Sequence, residues 1–369
     1  MRFNDLDIYN KKIRNKIITN FKKVIQKNNF IFSEDVILLE KKLAKNTENR
    51  FCITTGSGTD SISLSLMSLR LRRGDEIIIP AFSWLSVAEC VLLLGLKPVY
   101  ADVDLDTYNI DIKSIKKNIT SKTRAIISTS LFGRSAELIE IKKICRMKKI
   151  YFIEDAAQNF GSYLKGANAL SIADITCTSF FPTKNLGCFG DGGAIFTNNK
   201  KFFTRLISLR NHGQTKYSNS RYIGLNSRLG TVQAKILLEK LKGVKYKINN
   251  QKIVYKSYEE FFKKNNIVGF PKMRKDDAVS QFSILVKNRI SLINFFKKNK
   301  IPFKLYYPKP LYKQFNQKIK KKCFNTEKIC KSIISLPFND LKKNRHMKVL
   351  NFLKILIKKN MKIFFEKKN

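Results

Sequence analysis

The sequence predicts an α/β fold: a largely parallel sheet covered by helices on both faces, followed by a smaller α+β unit. Three observations predict it. Short apolar runs alternate with amphipathic segments through the first half of the 369-residue chain. Hydrophobic residues make up 43 % of the total, enough for a sizeable core. After a helix near Thr231–Leu241 the composition turns to Lys and Asn. That shift places a domain boundary within 243–255, with 1–245 as the large domain, including an N-terminal helical segment, and 246–369 as the small one.

The elements follow in order. Phe51-Cys-Ile-Thr-Thr reads as a strand, and Thr59–Leu71 as a helix with Leu64, Met67 and Leu71 at helical spacing. Glu76–Pro80 is a buried strand, Ser86–Leu94 a helix and Pro98–Asp102 a strand. Arg124–Thr129 is a strand, Ala136–Lys148 a helix and Ile150–Glu154 a strand. Ile175–Phe180 and Gly193–Thr197 add two more strands close in sequence. Past the boundary, Ala278–Val286 predicts a strand, Ser291–Lys298 a helix and Val349–Ile357 a terminal amphipathic helix, with 309–325 a mobile surface loop. No internal repeat is apparent.

The chain carries 72 Lys and Arg against 28 Asp and Glu, a net charge of +44. A basic surface concentrates polyanions, but the distribution argues against a dedicated site. Residues 51–100 net to 0 and 151–200 to −1, whereas 251–369 hold 31 basic and 7 acidic side chains. The lysines lie scattered among Asn, Ile and Phe, the set that A/T-rich coding favours. Neither a nucleic-acid nor a membrane partner is expected, and a non-catalytic polyanion-binding protein is the distant alternative. Seven cysteines without a CxxC pair, and only His212 and His346 to assist them, argue against a disulfide scaffold and a metal site. The first residues lack a signal-peptide pattern, and Cys90–Leu96 falls far short of a membrane span. A cytoplasmic protein is expected.

Four clusters fall at strand ends, where open α/β sheets bind ligands. Gly56-Ser-Gly-Thr-Asp60 lets the backbone approach an anion at a helix N-terminus; a tight turn with a helix cap explains it equally well. In Glu154-Asp-Ala-Ala-Gln158, Asp155 suits a protonated ring nitrogen and Gln158 an oxygen on that ring, the alternative being an N-cap. Lys184 stands 29 residues further on, the sole Lys from 166 to 199, inside an apolar, Gly-rich turn. A desolvated amine there has a lowered pKa and can form a Schiff base with an aldehyde. Finally, Asn226 and Arg228 alternate in an extended segment, and an Arg so placed suits a carboxylate or phosphate.

Taken together, these clusters resemble the sugar-nucleotide aminotransferases of the DegT/DnrJ/EryC1/StrS family. The resemblance is carried by Thr178-Ser-Phe-Phe-Pro-Thr-Lys-Asn-Leu-Gly-Cys-Phe-Gly-Asp-Gly-Gly-Ala194, with Gly74-Asp-Glu-Ile-Ile-Ile-Pro-Ala-Phe82, Arg210-Asn-His-Gly213 and Asn226-Ser-Arg-Leu229. It implies the fold-type I architecture of pyridoxal-phosphate (PLP) enzymes, with a seven-stranded sheet. It further implies that Lys184 carries PLP as a Schiff base and moves a proton, and that Asp155 keeps the pyridine nitrogen protonated. Gln158 would bond the phenolic oxygen, and Trp84 would stack on the ring, unless it is an ordinary core residue. The N–H groups of Gly58 and Thr59 and the Ser179 hydroxyl would bind the phosphate, with Asn226 reaching it from a partner subunit in a homodimer.

Within the family, Gln158-Asn-Phe-Gly161, Cys177-Thr-Ser-Phe-Phe-Pro182, Leu131-Phe-Gly-Arg-Ser-Ala136 and Tyr306-Tyr-Pro-Lys-Pro-Leu311 resemble the aminotransferases acting on UDP-2-acetamido-2-deoxy-3-oxo-glucuronate. Tyr306 stands where that branch has histidine. The resemblance implies glutamate as donor, a UDP-sugar as acceptor, and Arg228, Tyr306 and Tyr307 as sugar contacts. A basic surface would help attract such an anion. A dTDP-linked 3-keto or 4-keto deoxysugar is the alternative acceptor; a sugar dehydratase of the same fold would lack the lysine.

Overall fold

The computed structural model describes residues 3–4, 6–216, 219–319, 321–338, 343–358 and 363–366. Helices α1 (Asp7–Lys27) and α2 (Glu34–Asn46) lead into strand β1 (Phe51–Thr55). Then α3 (Gly58–Ser68), β2 (Glu76–Pro80), α4 (Ser86–Leu93), β3 (Lys97–Ala101), α5 (Ile112–Asn118), β4 (Thr123–Thr129), α6 (Leu138–Lys148) and β5 (Tyr151–Asp155) alternate along the chain. A hairpin of β6 (Tyr163–Leu164) and β7 (Ala167–Asn168) precedes β8 (Ile175–Ser179) and β9 (Gly193–Thr197). Seven strands form one sheet in the order β1-β9-β8-β5-β4-β2-β3. β9 runs antiparallel to both neighbours, and every other pair is parallel. The expected largely parallel, seven-stranded sheet is therefore present.

Period-two alternation along the strands divides the core in two. Ile78, Ile126, Phe152 and Phe196 point to one face and pack with Leu39, Ile141 and Leu237. Ile77, Ile79, Ile127, Ile153 and Ile195 point to the other and pack with Leu64, Val91 and Leu206. All five residues of β2 are buried, as a central strand covered on both sides requires. The helix predicted to reach Leu71 stops at Ser68, because Arg70 turns into the left-handed region at φ 56°. The helix expected from Ala136 begins at Leu138, since the Ala136 N–H is held by the Ser130 hydroxyl.

Beyond the sheet come α7 (Lys200–Leu209), a hairpin of β10 (Gln214–Lys216) and β11 (Asn219–Ser220), α8 (Thr231–Leu241) and α9 (Val244–Lys264). α9 is one continuous helix through the stretch where the composition changes. The remaining elements are β12 (Ile267–Val268), β13 (Phe282–Leu285), α10 (Arg289–Lys298), α11 (Leu311–Gln314), α12 (Phe324–Ser332), β14 (Ile333–Leu336), α13 (Lys343–Lys358) and β15 (Phe365–Glu366). Apolar side chains of α9, β12, β13, α10, β14 and α13 form a separate aromatic-rich cluster, in which the Phe262 and Phe282 rings stack 5.7 Å apart.

Two expectations for this part are corrected. The strand foreseen over Ala278–Val286 covers only Phe282–Leu285, because Ala278 and Ser280 bond instead to the Ser162 hydroxyl and the Phe132 carbonyl. The segment 309–325 is not a surface loop along its described length. It contains α11, and Leu311, Tyr312 and Cys323 bury themselves against the large sheet's core. A fourth cluster joins Phe82, Tyr108, Leu131 and Phe132, from the loops after β2, β3 and β4, to Leu285, Tyr307 and Ile333. That seam lies at the carboxyl ends of the parallel strands.

Candidate active site

Asp155 is the last residue of β5 and is buried. Lys184 lies in the turn between β8 and β9, half-buried, with its N–H donating to the Phe181 carbonyl at 2.9 Å. Burial pushes the Lys184 amine below the ordinary lysine range, while the Asp155 charge pulls it back. Burial likewise raises the Asp155 carboxyl, opposed by the Ala157 N–H and the Lys184 charge. Desolvation outweighs attraction for both partners, so neither is comfortable as a bare ion. One Asp155 oxygen accepts from the Ala157 N–H at 3.0 Å, in a turn and not at a helix N-terminus.

The phosphate-type cradle is built by α3. Its N-cap Ser57 accepts from the Asp60 N–H at 3.0 Å, the helix-cap half of the sequence reading. Among the described residues nothing accepts from the Gly58 or Thr59 N–H groups, the open donors of the first turn. Position 58 must be glycine, since a Cβ there would sit 2.7 Å from Ser179 Cβ. Ser179 itself accepts the Phe181 N–H at 3.2 Å.

Gln158, Trp84 and Tyr307 meet one another in a second group. Gln158 Oε1 accepts from the Phe132 N–H at 2.9 Å, and its Nε2 donates to the Tyr307 hydroxyl at 3.2 Å. The Trp84 ring lies 5.8 Å from that of Tyr307 and is 51 % exposed, unlike a packed core side chain. Tyr306 packs 5.6 Å from Tyr307.

Asn226 and Arg228 are not brought to this group within the chain. Asn226 is exposed, whereas Ser227 beside it ties the segment to the phosphate-type loop, accepting from the Gly56 N–H at 2.9 Å and donating to Asp60 at 2.8 Å. Arg228 donates to Asn211 at 3.2 Å and lies over the Phe32 ring at 5.6 Å. Sequence reasoning passed over Ser227, whose type carries no signal by itself. It also gave no separate role to Glu154, which is fully buried and receives hydrogen bonds from the Ser128 and Ser130 hydroxyls. Burial raises its carboxyl to about 8. A carboxylate closing an otherwise apolar strand was the available signal.

The chain matches the DegT/DnrJ/EryC1/StrS aminotransferase family over residues 11–354. It belongs to that family. This aminotransferase is 38 % identical over 315 residues to the UDP-2-acetamido-2-deoxy-3-oxo-D-glucuronate aminotransferase of Pseudomonas aeruginosa, covering 85 % of this chain and 88 % of the relative. It is 30 % identical to the UDP-N-acetyl-3-dehydro-alpha-D-glucosamine 3-aminotransferase of Acidithiobacillus ferrooxidans, over 95 % of this chain and 96 % of that one. The crystal structure of NtdA from Bacillus subtilis, with bound cofactor PMP, superposes with a TM-score of 0.89 at 28 % identity, covering 97 % of this chain and 85 % of that one. The chain is a PLP-dependent sugar aminotransferase of fold-type I. Its residues fit the cofactor: the Gly58 and Thr59 N–H groups are open at the start of α3, against Ser179, and the Lys184 amine and Asp155 carboxylate are desolvated and electrostatically coupled. No helix among the described residues is long and apolar enough to cross a membrane.

Proposed function

We propose that this aminotransferase moves an amino group from glutamate to C3 of UDP-2-acetamido-2-deoxy-3-oxo-glucuronate, in the cytoplasm, for amino-sugar synthesis feeding cell-surface polysaccharide such as lipopolysaccharide O-antigen. The observation that carries the chemistry is the desolvated Lys184 amine, in the turn after β8, coupled electrostatically to Asp155 at the end of β5. The likeness to two aminotransferases named for UDP-linked 3-oxo and 3-dehydro sugars supports the acceptor.

The cofactor supplies an electron sink that stabilises negative charge at the carbon losing a proton. Lys184, its proton affinity lowered by burial, provides the uncharged amine for covalent attachment. With the cofactor bound, the same Nζ would move a proton between the substrate carbon that bears the amine and the cofactor carbon on the other side of that nitrogen. Asp155 holds negative charge against the ring nitrogen, and the Ala157 N–H keeps its carboxylate oriented. The Gly58 and Thr59 N–H groups and the Ser179 hydroxyl bind the phosphate at the positive end of α3. Gln158, already anchored to Phe132 and Tyr307, fixes the phenolic oxygen's side, and Trp84 covers the ring face and excludes water. Tyr306 and Tyr307 contact the sugar.

The same reading makes the active unit a homodimer. Ile18, Phe21, Phe30, Ile31, Phe32 and Phe189 are each 44 to 51 % exposed, a hydrophobic surface adjoining the Asn226–Arg228 segment. A partner docked there receives Asn226 at its phosphate and Arg228 toward the sugar carboxylate.

The test is turnover by the purified full chain, read as 2-oxoglutarate release from glutamate. UDP-2-acetamido-2-deoxy-3-oxo-glucuronate is expected to be aminated at C3, and dTDP-linked 3-keto and 4-keto deoxysugars far more slowly. Turnover restricted to the dTDP sugars would replace the assigned acceptor with the alternative one.

A further inference from the structure

The segment that carries Lys184 has no strand ladder or helix of its own to fix it; residues 182–186 are turns and bends between β8 and β9. Two ammonium groups reach it from rigid helices behind. Lys247 Nζ, in the first turn of α9, donates to the Lys184 carbonyl at 2.7 Å. Lys240 Nζ, on α8, donates to the Gly187 carbonyl at 2.7 Å and lies 4.4 Å from the Phe189 ring centre. Gly187 is locked from its other side, since a Cβ there would come within 2.6 Å of the Phe181 and Pro182 carbonyl oxygens.

Lys240 is only 4 % exposed, and a desolvated ammonium is costly unless it is well bonded. Burial lowers Lys240 to about 8, and burial with the neighbouring Lys240 charge lowers Lys247 to about 7. Both charges end on carbonyls of one short turn. One of those carbonyls belongs to the attachment lysine itself, whose N–H is already held by Phe181.

We infer that Lys247, backed by Lys240, is a positioning residue for Lys184: its ammonium pins the carbonyl of residue 184, so the reacting Nζ starts from a fixed backbone point. Reacting groups lose rate steeply with small misplacements, and hydrogen bonds to charged groups are among the stronger ones. The inference rests on the reading of Lys184 as the cofactor-bearing residue.

The test uses the full chain freed of cofactor, comparing wild type with Lys247→Met, which keeps length and loses the donor, and Lys247→Arg, which keeps a donor. Two quantities are measured: the rate of PLP attachment by visible absorbance, and the equilibrium affinity for PMP, which binds without that covalent link. Lys247→Met is expected to attach PLP about tenfold more slowly while its PMP affinity stays within about twofold, and Lys247→Arg to recover most of the rate. Lys240→Met should show the same split through the Gly187 carbonyl, and serves if Lys247→Met does not fold. Attachment at the wild-type rate would overturn the inference, as would PMP affinity falling in step with the rate, the mark of general loosening. A Lys184→Ala control separates the two readings: covalent attachment persisting in it overturns the assignment of Lys184, whichever way the Lys247 variants behave.

Discussion

Residues 151–200 and residues 251–369 treat charge in opposite ways. The first stretch nets to −1 and withdraws three ionisable groups from water, Glu154 and Asp155 buried and Lys184 half-buried, while Lys165, Asp191 and Lys200 stay exposed. The second holds 31 basic side chains, and its ion-paired lysines stay wet; the Lys263, Lys272 and Lys313 side chains are 53 to 73 % exposed, against 29 % for the paired Arg274. Glu154, Asp155 and Lys184 are desolvated and coupled through Asp155. The ion-paired lysines of the basic stretch are solvated and screened. A net charge of +44 thus says little about what the molecule does, and three side chains in a neutral stretch say a great deal.

The largest test of this contrast is Lys184→Ala, expected to lower transamination by at least about 10³-fold, because it removes both the attachment point and the proton carrier. Half-reaction rates with glutamate, followed by absorbance, read it. Next is Gly58→Ala. The added methyl meets Ser179 Cβ at 2.7 Å, a strain of about 1–3 kcal/mol if the cradle must open. PMP affinity is expected to fall about tenfold or more, measured by equilibrium titration.

Glu154→Gln comes third and concerns pH. The folded-state carboxyl, at about 8, lies above its ordinary value of 4.5. The folded chain therefore keeps a proton that the unfolded chain loses, and its stability falls as pH rises from about 4.5 through 8. Urea unfolding of the cofactor-free chain at several pH values should show this slope in wild type and a shallower one in Glu154→Gln. The raised Asp155 carboxyl contributes the same sign and leaves a residual slope. The smallest effect belongs to Lys272→Gln. Its ion pair with Asp106 joins side chains 73 % and 60 % exposed, so unfolding free energy should stay within about 0.5 kcal/mol of wild type, with activity unchanged.

The same contrast explains what the sequence disclosed. β1, β2 and β9 were legible residue for residue, because short apolar runs between turn residues have few other readings. Lys184 stood out because no other lysine lies near it in sequence. Lys240 and Lys247 did not, because among so many lysines two more carry no information, although the fold aims both at the Lys184 turn. The Lys-rich background likewise disguised 309–325 as a loop, when Leu311, Tyr312 and Cys323 anchor it. The link between Gln158 and Tyr307 spans residues far apart in the chain, and only the fold brings them within 3.2 Å.

The account's centre is the covalent use of the Lys184 amine opposite Asp155. Borohydride reduction of the cofactor-loaded full chain, followed by peptide mass mapping, tests it most directly. A phosphopyridoxyl mass on Lys184 alone is the expected result; the same mass on another lysine, or on none, would contradict it.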